Sequence, residues 1–227
     1  YIIDTQHKDI ELEWGKTKTL VFTNKAKPKL KIIKLDEDTK KPLAGAKFKV
    51  TKTDDNTVSE YVTKEDGTIL IENLEDTTYT VVETQAPFGY LLSENSHKDI
   101  KLEWGKTKEL IFTNQTKPKL RIQKVDAKTG ELLKNSEFRV EKVEDKTVSE
   151  YILENGEIIL ENLDEAIYKA TEFMPPDGYI MLTESKEIML EGGKTKTLKF
   201  DNVRKPVVRF KKTNGLTGKP IAGAVFK

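Results

Sequence analysis

The chain has 227 residues, enough for one large or two small domains; 34% are charged, with 39 Lys+Arg against 38 Asp+Glu and a net charge of +1. Basic and acidic residues alternate without forming a block, which excludes a nucleic-acid footprint, and no apolar run reaches the length of a membrane span. The absence of Cys and the presence of only two His exclude disulfides, thiol catalysis and thiolate metal sites and argue against a His-based metal centre, so neither metal nor cofactor is expected.

The chain opens mid-pattern at Tyr1 and is expected to be a piece of a longer protein, so the lack of a signal peptide says nothing about its destination. Its first stretch closes with KTKTLVFTN, where Leu20, Phe22 and Asn24 share one face of a period-two strand. From there only strands are predicted, over 29–36, 46–53, 57–63, 68–72, 78–84, 98–103 and 107–114. Turn chemistry separates them: Lys-Pro and Ala-Gly at 41–45, Asp-Gly at 66–67, Asn-Leu-Glu-Asp at 73–76 and Pro-Phe-Gly at 87–89. A helix over EDTKKPLAGAKF fails on its internal Pro and Gly.

The pattern then repeats. HKDIELEW (7–14) returns as HKDIKLEW (97–104), and TVSEY at 57–61 returns at 147–151. A junction of one design, Asn then Lys-Pro then a strand with a Lys ten residues on, occurs at 24–36, 114–126 and 202–214. The repeats divide the chain into closing strands of a preceding repeat (1–26), two whole modules (27–115 and 116–203) and opening strands of a following repeat (204–227). Seven short strands in a module point to an all-β fold, tandem seven-stranded antiparallel β-sandwiches of the immunoglobulin-like or prealbumin-like kind. A module of this size folds independently rather than as a solenoid unit.

Three polar residues break the inward face of each whole module. Lys34 follows Leu30 and Ile32, Glu83 follows Tyr79 and Val81, and Asn114 follows Leu110 and Phe112. Lys124, Glu172 and Asn202 repeat the phases, and in the final segment Val208, Phe210 and Lys212 do so for the Lys alone. Burial disfavours a charged amine and a charged carboxylate alike. A neutral amine is a nucleophile, a protonated carboxyl polarises an amide carbonyl, and Asn can lose ammonia, so the three held together in a dry core would condense to a Lys–Asn isopeptide bond. Each residue also has an ordinary explanation. The Lys can snorkel to the rim, the Glu can be a satisfied acceptor, and the Asn can be a turn or cap residue. Against these stands the coincidence of all three, in phase, in both modules.

At these residues the chain resembles Cna B-type domains, also called SpaA-type pilin or prealbumin-like repeats. YTVVETQAPFGY resembles their Glu-containing box, and KIIKLDEDTKKPLAGAKFKV and LIFTN resemble their first and last strands. The resemblance covers essentially the whole chain. It implies a seven-stranded sandwich and a spontaneous bond between first and last strands: Lys34–Asn114 assisted by Glu83, and Lys124–Asn202 assisted by Glu172, each Glu acting as proton shuttle. Asn24 and Lys212 are the equivalent residues of the partial repeats, outside any complete triad. The second module departs from the pattern, with TEFMPPDGY for ETQAPFGY, Asn135 for Gly45 and Gly192 for Trp104.

The function implied is a stalk or spacer of an adhesin, bearing tension on the extracellular, cell-wall-anchored surface of a Gram-positive bacterium. It is no enzyme. Its expected partners are other domains of the same surface protein, with a host extracellular-matrix ligand met through another domain, and no nucleic acid or membrane. The chain itself is expected to be a monomer, its end segments fraying rather than pairing head-to-tail between copies. Alternatives are a ligand-binding module for collagen or another host matrix, and a segment of a pilin subunit. The sequon at Asn114, GLTGKP at 215–220 and the acidic run Asp36–Asp38 are read as inward side chain, plain loop and solvated loop.

Overall fold

The computed structural model describes residues 1–2, 9–93 and 96–225, with the backbone alone at 96–98. Fifteen strands follow one another among the described residues. They are β1 (Lys29–Asp36), β2 (Lys47–Lys52), β3 (Val58–Val62), β4 (Thr68–Ile71), β5 (Thr78–Gln85), β6 (Ser96–Lys101), β7 (Thr107–Asn114), β8 (Lys119–Asp126), β9 (Ser136–Lys142), β10 (Thr147–Leu153), β11 (Glu157–Leu160), β12 (Ile167–Met174), β13 (Tyr179–Met181), β14 (Ser185–Met189) and β15 (Thr195–Arg204). The strands predicted for the first module match to within two residues at every end. The described chain divides into two compact units, with β1–β7 in one and the bulk of β8–β15 in the other.

The first sandwich sets the sheet β4-β1-β7 against the sheet β3-β2-β5-β6. Strict alternation builds it. Leu30, Ile32, Lys34 and Asp36 of β1 are buried while their neighbours are half-buried, and Leu110, Phe112 and Asn114 of β7 point the same way. Between the sheets Phe48 and Phe112 meet edge to face, centroids 4.8 Å apart at 64°. One departure from an antiparallel sandwich is central to the site: β1 and β7, the first and last strands, pair parallel over their full length, Lys34 opposite Phe112 and Asp36 opposite Asn114. Their connection runs through the whole module, which is what a parallel pair requires.

The second sandwich sets β11-β8-β15-β13 against β10-β9-β12-β14, with Phe138 and Phe200 in the matching edge-to-face contact, 4.8 Å and 66°. It has eight strands rather than seven. Tyr179–Met181 pairs with Met181 opposite Asn202 on β15, where the first module has, among the described residues, the isolated bridge Tyr90–Thr116.

The end segments form no strand among their described residues, only the bridges Ile2–Lys25 and Thr213–Pro220. The shared inward faces expected at Leu20, Phe22, Asn24 and at Val208, Phe210, Lys212 are exposed instead. The reason is physical: period-two patterning buries a face only when a second sheet lies over it. Residues 3–8 and 226–227 of these segments lie outside the described residues.

Candidate functional site

Each Lys strand is anchored from the side by a tight turn. Gly67, at φ +70°, accepts a hydrogen bond at its carbonyl from Lys34 N at 2.8 Å. A Cβ on Gly67 would come within 2.6 Å of Lys34 O, so Gly is required for φ and for approach alike. Gly156 holds Lys124 N in the same way at 2.8 Å. Beyond the Lys, the carboxylate of Asp36 caps its own turn, Oδ1 accepting from Asp38 N and Thr39 N at 3.0 and 2.7 Å, and Asp126 does so for Lys128 and Thr129.

The parallel register brings Lys34 and Asn114 to adjacent rows on one face, and β5 of the opposite sheet delivers Glu83, level with Phe48. The structure thus brings together all three predicted residues of the first module, and equally Lys124, Glu172 and Asn202 of the second. None of the six is more than 3% exposed. Asn114, inside the sandwich at 1%, is no accessible sequon. Asn24 and Lys212 stand exposed.

The two triads differ in hydrogen bonding. In the first, Lys34 Nζ lies 3.9 Å from Glu83 Oε1. Lys34 Nζ, both Glu83 oxygens and Asn114 Oδ1 have no hydrogen-bond partner among the described residues, while Asn114 Nδ2 donates to the Leu91 carbonyl. In the second, Glu172 takes both neighbours: Lys124 Nζ donates to Oε2 at 3.0 Å and Asn202 Nδ2 to Oε1 at 2.9 Å, leaving Asn202 Oδ1 unpaired. Buried polar atoms without partners cost free energy and call for an explanation.

Burial dominates the protonation of these groups. It lowers Lys34 to about 8, against the opposing charges of Glu83, Asp36 and Glu37, and raises Glu83 to about 7 against the pull of Lys34. Lys124 is lowered and Glu172 raised for the same reason, each opposed by the other. Burial therefore shifts both sites toward a neutral amine and a protonated carboxyl, the forms that attack and polarise.

Sequence reasoning missed a second polar contact at each site. Tyr90 Oη donates to Asp36 Oδ2 at 2.8 Å, and Tyr179 Oη donates to Asp126 Oδ2 at 3.1 Å with Arg204 Nε donating to the same Tyr at 2.9 Å. These pairs fasten the loop after the Glu strand to the end of the Lys strand. The signal available was that one Tyr closes both FGY and DGY; it did not say which Asp would receive it. Asp36 is thereby a buried turn cap rather than a solvated residue, and among the described residues no cluster of three His, Asp or Glu could hold a metal ion.

Sheet order, parallel closure and a buried amine–acid–amide triad define a prealbumin-like sandwich with a sealed polar core. A family model described as SpaA, prealbumin-like fold domain, matches residues 28–116 and 118–204; the chain belongs to that family. No curated protein matches the chain. Among solved structures, the Bacillus anthracis TIE protein is 29% identical over 78% of this chain and 34% of that one, with a TM-score of 0.42, so the chain spans about a third of its length. A streptococcal ancillary pilin is 21% identical over 87% of this chain and 70% of that one, TM-score 0.43. The shaft pilin SpaA of Lactobacillus rhamnosus GG is 15% identical over 82% of this chain and 100% of that one, TM-score 0.46.

Proposed function

We propose that each module seals itself with an isopeptide bond, Lys34–Asn114 with Glu83 as proton shuttle and Lys124–Asn202 with Glu172, and that the sealed modules form a tension-bearing stalk. The observation that carries this reading is the convergence of amine, carboxyl and carboxamide in both buried cores, with Lys34 Nζ, the Glu83 oxygens and Asn114 Oδ1 making no hydrogen bond among the described residues. In the reaction the neutral Lys Nζ attacks Asn Cγ while the protonated Glu hydrogen-bonds Oδ1. The Nζ–Cγ bond forms, the Cγ–Nδ2 bond breaks, and the Glu carries a proton from the amine to the leaving nitrogen, which departs as ammonia. Fixed neighbours at contact distance supply the effective concentration.

Such a bond closes about 80 residues into a loop, worth about 4–5 kcal/mol by the loop-entropy account used for disulfides. It also joins the strand by which tension enters a module to the strand by which it leaves, so load bypasses the rest of the sandwich. That staple suits a Cys-free chain working outside the cell. Family membership supports a surface protein or pilus, extracellular and anchored to the wall of a Gram-positive bacterium. Segments 1–26 and 204–227 belong in this reading to flanking repeats, and other domains of the same protein meet any host matrix ligand.

Intact-mass spectrometry of the denatured chain tests the chemistry. The expected mass falls short of the sequence mass by two ammonia molecules, and Glu83→Ala and Glu172→Ala each restore one. A mass equal to that of the sequence overturns the proposal.

A further inference from the structure

The second module holds a second amine that the cross-link reading does not use. Lys186 stands on β14, the edge of the sheet β10-β9-β12-β14, yet its Nζ donates to the carbonyl of Lys199 on β15, in the opposite sheet, at 2.5 Å. It straps the open seam of the sandwich. The same amine lies 5.3 Å from the centroid of Phe200, and Lys124 Nζ lies 6.0 Å from the centroid of that ring. Two lysines therefore share one aromatic ring, within about 11 Å of each other by those distances. A Lys recurs at this place in the repeat, Lys98 in HKDI and Lys186 in SKEI.

We propose that Lys186 is a positioning residue for bond formation in the second module: its ammonium, strapped across the seam to Lys199, keeps the Lys124 amine in the neutral form that attacks Asn202. This rests on the cross-link reading above. The charged groups around Lys124 are few. Glu172 faces it from β12, Asp201 acts from β15, Asp126 lies two residues on in its own strand, and β9 presents Phe138 and Ser136, which carry no charge. Burial, the largest influence, opposes the protonated amine and Glu172 and Asp201 favour it; among the described residues Lys186 is the cation that works with burial, with the smallest influence of this set. A like charge at this range in a partly screened interior changes the neutral fraction by about three- to fivefold. Because Lys186 is half-buried and bonded to a backbone carbonyl, its charge is held in place rather than free to swing into solvent.

The test uses the full chain carrying Asn114→Ala, so that only the second module can lose ammonia, recovered unlinked in urea and refolded by dilution across pH 5.5–9. Ammonia loss is timed by intact mass, and near-UV circular dichroism reports folding for each variant. With Lys186→Met the rising limb of the bell-shaped pH–rate profile moves to higher pH, the rate near neutrality falls about three- to fivefold, and the rates on the alkaline, falling limb are kept. Lys186→Arg, which preserves the charge, restores the parent profile. A uniform slowing at every pH, or an unchanged profile, overturns the role of Lys186 alone. No ammonia loss in the Asn114→Ala parent at any pH overturns the cross-link in the second module and this role with it.

Discussion

The two triads use the same residues at the same phases, yet Glu172 holds both of its neighbours at 2.9–3.0 Å while Glu83 stands 3.9 Å from Lys34 with both oxygens unpartnered. The difference follows from what else each Asn touches. Asn114 turns its amide nitrogen to the Leu91 carbonyl, whereas Asn202 lies opposite Met181 of the extra strand β13 and turns its nitrogen to Glu172. Local pairing beside the last strand thus decides how the polar core is satisfied. The module further from the family pattern in its Glu box has the tighter site.

This contrast can be broken at the proposed bond. Asn114→Ala and Asn202→Ala should each cost about 4–5 kcal/mol in the stability of their own module, read as separate transitions by calorimetry. The first module should lose more, because its Lys34 and Glu83 are left without hydrogen bonds, while Lys124 keeps Glu172. Equal losses would show that the hydrogen-bond difference carries no weight.

A smaller effect should appear in the pH dependence of the unlinked Asn114→Ala chain. Glu83 is raised to about 7, so the stability it contributes is complete below its ordinary range and lost as pH rises through 7. Lys34 is lowered to about 8, so its contribution is complete above the ordinary lysine range and lost as pH falls through 8. The first module should therefore be least stable between pH 7 and 8 and gain up to about 3 kcal/mol on either side. The Asn202→Ala chain should show a shallower valley in its second module, since the 3.0 Å pair offsets its own burial. Urea titrations from pH 4 to 10 would measure both; a valley of the same depth in each refutes the contrast.

The smallest effect is expected at the Tyr–Asp fastenings. Tyr90→Phe should destabilise the first module by about 1–2 kcal/mol, since it removes a hydrogen bond to the buried Asp36. Tyr179→Phe should cost less, because Arg204 Nε stays 3.4 Å from Asp126 Oδ2. Equal shifts in melting temperature would remove Arg204 from this account.

Much of this site was readable beforehand because period-two alternation is a local property. Leu30, Ile32 and Lys34 must share a face in any strand, as must Tyr79, Val81 and Glu83, so burial of the polar residues followed from phase alone. Sheet neighbours are not local. That β1 pairs with β7 in parallel, that Leu91 receives the Asn114 amide and that residues 179–181 add a strand depend on chain segments far apart in sequence. Nothing in the spacing of any one of them records the other.

The final segment separates the two levels. At 213–220 the turn of the first strand forms as it does in the whole modules: Asn214 Oδ1 accepts from Leu216 N and Thr217 N at 2.9 and 3.0 Å, and Ile221 N donates to Lys212 O at 2.9 Å, as Leu43 N does to Lys34 O. Those contacts span only a few residues, so the local sequence suffices to set them. Lys212 holds the same phase as Lys34 and Lys124, two residues after an apolar one, but stands exposed, whereas those two are fully buried. A face is dried only by a second sheet laid over it.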